Sequence, residues 1–297
     1  MHTPNFIPPL QQIFDPIWDE KGIKLYVLRI DLNHPEISGN KLYKLKYNLE
    51  EAKKQGKNTL LTFGGAFSNH IAATAAAGKL AGLNTIGIIR GDELSDLNIT
   101  LKLAKENGMQ LHYVSRELYR DKEALMNDVR TKFGENIYVI PEGGSNTLGV
   151  KGCMEITQNI DIPFDFICVP CGTGATLSGI VLSLKDEQQA IGFQVLKAEG
   201  YIKKEVQDWL TEFKQNDKGN WSINEEYHIG GYAKVNEQLK QFVQDFNSKH
   251  GIPLDYVYTG KMLFGITDLI HNNFFTAGST IIAVHTGGLQ GNKGFIN

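Results

Sequence analysis

Thr59-Leu60-Leu61-Thr62-Phe63-Gly64-Gly65-Ala66-Phe67-Ser68-Asn69-His70 decides the fold. Thr59 to Phe63 has the length and β-branched content of a short strand, and a glycine pair then breaks it. Ser68 and Asn69 are the residue types that start helices, and the Ala-rich stretch behind them reads as a helix over 68–81. A second strand-like run over 85–89 follows. Strand, glycine turn, helix and strand make a βαβ unit, whose crossover forces the two strands to be parallel.

The same alternation extends to both sides. After a Pro-rich irregular start, a strand is expected over 24–30 and a helix over 42–55. Beyond the opening unit come a helix over 95–107, a strand over 111–114, a helix over 122–133 and a strand over 137–140. Gly143-Gly144-Ser145 marks a crossing between units. From Asn146 the pattern resumes with helix 148–159, strand 166–169, helix 175–184 and strand 191–198. Helices over 203–213, 235–250 and 262–271 precede a strand over 280–284, and the polar stretch 215–224 reads as a loop. The expectation is an α/β protein with two open, twisted, mainly parallel sheets flanked by helices. Its division would place 1–42 and 146–297 in a large domain and 43–145 in a small one. No internal repeat or low-complexity tract interrupts it.

The 297 residues are 41% hydrophobic and 21% charged, the composition of an ordinary globular protein. A net charge of -3 gives no basic footprint, so nucleic acid is not an expected partner. Met1 to Leu10 holds three prolines and lacks the basic and apolar regions of a secretory signal. No apolar run is long enough to span a membrane. The three cysteines, Cys153, Cys168 and Cys171, are an odd set that suits a reducing cytoplasm. Cys168-Val169-Pro170-Cys171 has dithiol spacing, but Cys168 falls inside a strand and no second C-x-x-C completes a zinc tetrad. No histidine pattern suggests a metal either.

Open parallel sheets bind ligands beyond the carboxyl ends of their strands, and the chemically suggestive residues cluster at such turns. Gly64 to His70 offers backbone N–H groups and a hydroxyl at a helix N-terminus, a ready anion site. Gly172-Thr173-Gly174-Ala175-Thr176, after a strand and before a helix, offers a second. Lys41, in Ser38-Gly39-Asn40-Lys41, heads a segment whose Leu42, Leu45, Leu49 and Ala52 recur at helical spacing. An amine held there on a rigid element suits a Schiff-base lysine. Lys44 lies about one turn further on nearly the same face and competes for that role, whereas Lys46 points elsewhere. Tyr256 to Lys261 and His285-Thr286-Gly287-Gly288 add hydroxyls and another glycine turn.

Each piece has a plainer reading. Ser68 and Asn69 suffice as helix caps, Tyr232 and Tyr258 as half-buried packing, Thr259 and Thr286 as turn residues, and His70 as a first-turn surface residue. Their joint order carries the inference. A nicotinamide-dependent oxidoreductase is a rival, but Leu177 occupies the third glycine position of the G-x-G-x-x-G fingerprint begun at Gly172. A non-catalytic amino-acid sensor is another, against which Lys41 speaks.

In this order the motifs resemble the 1-aminocyclopropane-1-carboxylate deaminase and D-cysteine desulfhydrase family, within the tryptophan-synthase-β-like fold of pyridoxal-phosphate enzymes. The resemblance runs from about Lys24 to Phe295. It implies pyridoxal 5′-phosphate as cofactor, a small amino acid as substrate, and a homodimer. It makes Lys41 the lysine that bonds the cofactor aldehyde and handles the proton at the substrate α-carbon. Ser68 and Asn69 would hold the substrate carboxylate, with Asn69 also reaching the cofactor's phenolic oxygen and His70 beside them. Gly172, Thr173, Gly174, Ala175 and Thr176 would bind the 5′-phosphate, Tyr232 and Tyr258 would flank the substrate, and Thr259 would face the pyridine nitrogen. Thr286 is a second hydroxyl able to serve that nitrogen. The deaminase branch carries glutamate where Thr259 stands and glutamine where His70 stands. Those differences imply α,β-elimination from D-cysteine to pyruvate, ammonia and sulfide, with 1-aminocyclopropane-1-carboxylate deamination as the alternative. Ser38 and Phe67 also depart from the family pattern, replacing a glycine and a glutamine.

Overall fold

The computed structural model describes residues 6–93 and 95–294, so part of the Pro-rich start lies outside it. Its elements in chain order are β1 (Leu10–Ile13), α1 (Pro16–Glu20), β2 (Lys24–Leu28), α2 (Asn40–Lys54), β3 (Thr59–Gly65), α3 (Asn69–Ala81), β4 (Asn84–Arg90), α4 (Ile99–Glu106) and β5 (Met109–Val114). Then follow α5 (Arg116–Arg120), α6 (Lys122–Phe133), β6 (Ile137–Ile140), α7 (Thr147–Cys153), β7 (Phe166–Cys171) and α8 (Ala175–Ser183). The chain continues through β8 (Gln189–Gln194), α9 (Tyr201–Glu212), β9 (Trp221–Asn224), α10 (Glu237–His250), α11 (Thr259–His271) and β10 (Thr280–Val284).

Two sheets result, as the alternation implies. A six-stranded sheet has the order β1-β2-β10-β7-β8-β9, and a four-stranded sheet has the order β5-β4-β3-β6. Every pairing is parallel except the antiparallel β1–β2 edge. Helices cover both faces of the larger sheet, so β7 and β10 are buried almost end to end and read as continuous apolar runs. One face packs Leu25, Ile266 and Ile281 with α11, and the other packs Val169, Ile180 and Val284 with α8. The smaller sheet has its own apolar clusters around Leu60, Ala73 and Leu49 and around Leu61, Ile88 and Val129.

Helix α2 lies between the sheets. Leu45, Leu49 and Ala52 join the small-sheet core, while a Cβ on Gly152 of α7 would lie 1.9 Å from the Tyr43 carbonyl oxygen, so α2 and α7 meet backbone to backbone.

Several local expectations shift. The stretch 215–224 is not all loop, because Trp221–Asn224 pairs with β8 as the edge strand β9. The irregular start contains β1 and the one-turn helix α1, whose N-cap Asp15 accepts from Ile17 N. The helix expected over 95–107 begins only at Ile99, where the Asn98 side chain caps Leu101 N. The helix expected over 148–159 divides at Met154, leaving a separate turn at Thr157–Asn159. The strand expected over 191–198 stops at Gln194, whose amide donates to the carbonyls of Leu196 and Ala198 at 3.1 and 2.8 Å and turns the chain away from the sheet.

Candidate active site

The carboxyl ends of β3, β7 and β10 open on one cleft of about 1370 Å³ between the sheets. Lys41, Ser68, Asn69, His70, Gly172, Thr173, Gly174, Thr176, Tyr232, Tyr258 and Thr286 all line it. Ala175 is buried at the start of α8 beneath that wall.

Lys41 is placed by the turn before it. Gly39 has φ +67°, and a Cβ there would sit 1.8 Å from the Thr286 carbonyl oxygen, so only glycine lets α2 begin against the end of β10. The Asn33 side chain brackets the same residue, accepting from Gly39 N and donating to Gly39 O at 3.1 Å each. The Lys41 ammonium then reaches the Gly143 carbonyl at 3.3 Å. Lys44 Nζ donates to that same carbonyl at 3.0 Å and lies 3.5 Å from Thr173 Oγ1. Two amines thus share one acceptor in a desolvated floor. Desolvation, and then the Lys44 charge, push the Lys41 pKa well below the ordinary lysine value, and desolvation lowers that of Lys44. The same desolvation moves the amine toward its neutral, nucleophilic form.

Beside the amines, Gly172 to Thr176 forms a cradle at the N-terminus of α8. Gly174 has φ +74°, and a Cβ there would come within 3.0 Å of Glu205 Cβ. The Thr173 hydroxyl accepts from Ser145 Oγ at 2.6 Å, and Thr176 Oγ1 accepts from Asn40 Nδ2 at 2.9 Å. Hydroxyls, the N-terminus of α8 and Lys44 together fit a phosphate.

On the small sheet, Ser68 occupies the N-cap position of α3 but makes no side-chain cap bond, so its hydroxyl is not spent on the helix. A Cβ at Gly64 would lie 2.7 Å from Ser68 Oγ, which is why a glycine precedes it. Asn69 Oδ1 accepts from Gln290 Nε2 at 2.8 Å, leaving its amide hydrogens to other partners. Phe67, 55% exposed, presents an apolar ring to the same opening. His70 is not a surface residue: it is 1% exposed and pairs with Thr62 Oγ1 at 2.9 Å. Desolvation and the two lysines hold its pKa well below the usual imidazole value, so it stays neutral under the lysines.

Across the cleft, Tyr232 and Tyr258 meet edge to face at 6.1 Å and 73°. Burial, and for Tyr258 also the neighbouring phenol, raise both pKa values, keeping the hydroxyls protonated donors. A Cβ at Gly172 would lie 3.2 Å from Tyr258 Oη, which ties the tyrosine to the cradle.

Thr259 does not join this wall. It is fully buried at the start of α11, donating its hydroxyl to Asp255 Oδ2 at 2.6 Å and accepting from Asp255 N at 3.0 Å. Asp255 Oδ1 meanwhile caps the N–H groups of Val257 and Tyr258. Of the two threonines read as partners of the pyridine nitrogen, Thr286, at the end of β10, is the one that faces the cleft.

Sequence reading missed Gln290, Ser145 and Asn40 as supports, although Asn40 lies inside the lysine motif. The rim also carries Arg90, Arg116, Arg120 and Lys122. Cys168 and Cys171 are free and buried, and burial raises both thiols, Cys171 to about 12, so they are no reactive pair. Among the described residues no group of three or more His, Cys, Asp or Glu could hold a metal, and no helix is long and apolar enough to cross a membrane.

A depressed lysine beside a glycine and hydroxyl cradle, with hydroxyls opposite and parallel sheets behind, is a set of groups that fits pyridoxal phosphate. Residues 9–287 match the family model described as pyridoxal-phosphate dependent enzyme, and the chain belongs to that family. It is 35% identical to the bifunctional D-cysteine desulfhydrase/1-aminocyclopropane-1-carboxylate deaminase of Arabidopsis thaliana, over 91% of this chain and 73% of that protein. It is 31% identical to a putative 1-aminocyclopropane-1-carboxylate deaminase of Pyrococcus horikoshii, over 92% and 86% of the two chains. A crystal structure of an ACC deaminase homologue superposes with a TM-score of 0.85 at 29% identity, covering 98% of this chain and 92% of that one.

Proposed function

We propose that this enzyme catalyses α,β-elimination from D-cysteine, or a D-amino acid with a comparable β-leaving group, giving pyruvate, ammonia and hydrogen sulfide with uptake of one water. The observation that carries this is the pair of threonines: Thr286 lines the cleft, and the Thr259 hydroxyl is taken by Asp255. A hydroxyl donates a hydrogen bond but no charge, so the cofactor ring is a weaker electron sink than a neighbouring carboxylate would make it. Expelling a thiolate needs only brief stabilisation of charge at the α-carbon, whereas opening a cyclopropane needs more. The relative from Arabidopsis thaliana is named for both activities, which supports either substrate and keeps cyclopropane deamination as the second reading.

Bound pyridoxal phosphate supplies an aldehyde and a ring that stabilises negative charge at the α-carbon. In this reading Gly172 to Thr176 hold its phosphate and Lys41 is its covalent partner. Once the substrate amine had replaced it on the aldehyde, the freed Lys41 Nζ would be the base for the α-proton, and the C–S bond would break with its electron pair leaving on sulfur. Ser68 and Asn69 hold the carboxylate at the start of α3, with neutral His70 beneath them. The protonated phenols of Tyr232 and Tyr258 flank the substrate and can donate to the departing sulfur. Water then converts the remaining enamine to pyruvate and ammonia.

The strand distribution supports the domain division 1–42 plus 146–297 and 43–145. Exposed Phe14, Ile17 and Phe274 support a homodimer, and three free buried cysteines support a cytoplasmic setting. A coupled assay of keto acid and sulfide tests the activity. D-cysteine should be turned over with higher kcat/KM than 1-aminocyclopropane-1-carboxylate, and the opposite preference would reverse the assignment.

A further inference from the structure

Lys261 lies on α11 one turn after Tyr258, is 1% exposed, and makes no salt bridge among the described residues. Its ammonium donates to the backbone carbonyls of His228 at 2.7 Å and Gly231 at 2.8 Å. Burying an amine costs free energy, and here desolvation lowers its pKa to about 8. An apolar side chain would fill the same space without that cost, so the amine has another use.

That use is visible in the loop it grips. Ile229, Gly230, Gly231 and Ala233 have φ values of 54°, 85°, 124° and 56°, four left-handed residues around Tyr232. For the two non-glycine residues this conformation costs about 1–2 kcal/mol each. The loop's other backbone bonds, from Gly231 N to His228 O, from Gly230 N to His228 Nδ1 and from Lys234 N to Gly231 O, are internal turns. Among the described residues only the Lys261 bonds tie its backbone to another element. Tyr232 is 43% exposed as a whole residue, with its ring packed edge to face on Tyr258. That contact, which includes a side-chain hydrogen bond between the two phenols, also requires the backbone on either side to keep its path.

We infer that Lys261 is a positioning residue: its amine clamps the 228–231 turn to α11 and thereby sets Tyr232 against Tyr258, the N-cap residue of the same helix. The inference rests on the reading of Tyr232 as a substrate-flanking residue. Even the deprotonated amine keeps two N–H bonds for two carbonyls, so the clamp does not require the charge.

A double-mutant cycle on the holoenzyme tests it, with Lys261→Met, Tyr232→Phe and the double variant assayed with D-cysteine and 1-aminocyclopropane-1-carboxylate. Lys261→Met should bind cofactor with an unchanged absorbance band yet lose on the order of 10- to 100-fold in kcat/KM, mostly through KM. The double variant should be no worse than the more damaged single variant within about twofold, because one change acts through the other. Lys261→Gln, which keeps an N–H donor, should recover part of the loss and serves if the methionine variant does not fold. Multiplying losses, or wild-type kinetics in Lys261→Met, would overturn the clamp. Wild-type kinetics in Tyr232→Phe would instead overturn the reading of Tyr232, and the clamp's catalytic meaning with it.

Discussion

Replacing Gly39 by alanine tests whether the start of α2 sets the position of Lys41, the proposed cofactor lysine. The new Cβ would stand 1.8 Å from the Thr286 carbonyl oxygen, 2.2 Å from its carbon and 2.7 Å from Gly287 N, all backbone atoms. Contacts below 3.0 Å are not tolerated, so α2 and the end of β10 must separate by about 1.2 Å. At φ 67° and ψ -144°, a region that essentially only glycine occupies, alanine adds about 1–3 kcal/mol. Both surfaces that part are site surfaces, one carrying Lys41 two residues on and the other carrying Thr286. A displacement near 1 Å costs on the order of 100-fold in rate when reacting groups are otherwise aligned. Gly39→Ala should therefore lose about two orders of magnitude in kcat while the melting temperature falls only a few degrees. Turnover, thermal unfolding and the cofactor absorbance band would be measured on one preparation. Activity within a few-fold of wild type, with a well-folded protein, would refute the idea that this contact places Lys41.

Lys41→Ala should abolish both the cofactor imine absorbance and turnover while leaving far-ultraviolet circular dichroism unchanged. Lys44→Met removes the neighbouring charge that helps lower the Lys41 pKa, so cofactor capture by the apo-protein, which needs the neutral amine, should shift to higher pH. A stopped-flow pH profile checks the direction, and a shift to lower pH would contradict the shared-floor electrostatics. Thr286→Val should reduce turnover and move the absorbance band. Thr259→Val should instead leave the band in place and destabilise the fold by about 1–3 kcal/mol, because Asp255 loses a buried partner. Chemical denaturation of the two variants separates these outcomes.

Strand-to-helix turns were legible because each puts glycine and hydroxyl residues immediately after an apolar run, a local pattern that β3 and β7 both show. Lys41 was legible for the same reason, with Gly39 behind it and helical spacing ahead. What stayed hidden depends on partners distant in sequence. Asp255 captures Thr259 through a cap that no spacing rule separates from a free hydroxyl facing a ligand. His70 looks like a first-turn surface residue until β3 supplies Thr62 underneath. Trp221–Asn224 is only four residues long, on an edge and behind the polar stretch 215–220, so its alternation carries little signal. Gln290 supports Asn69 across 221 positions of chain, and Lys261 grips carbonyls that have no sequence signature at all.

The placement of α2 has a mechanical consequence. Its first turn is fastened to the larger sheet by Gly39 against Thr286, Asn40 to Thr176 and Tyr43 against Gly152, while its later turns share the small-sheet core. The helix is therefore an axle with its fixed end at the amine and its lever arm in the other lobe. A swing of that lobe about the fixed end would shift Ser68 and Asn69, the proposed carboxylate holders, relative to Lys41, the proposed cofactor lysine.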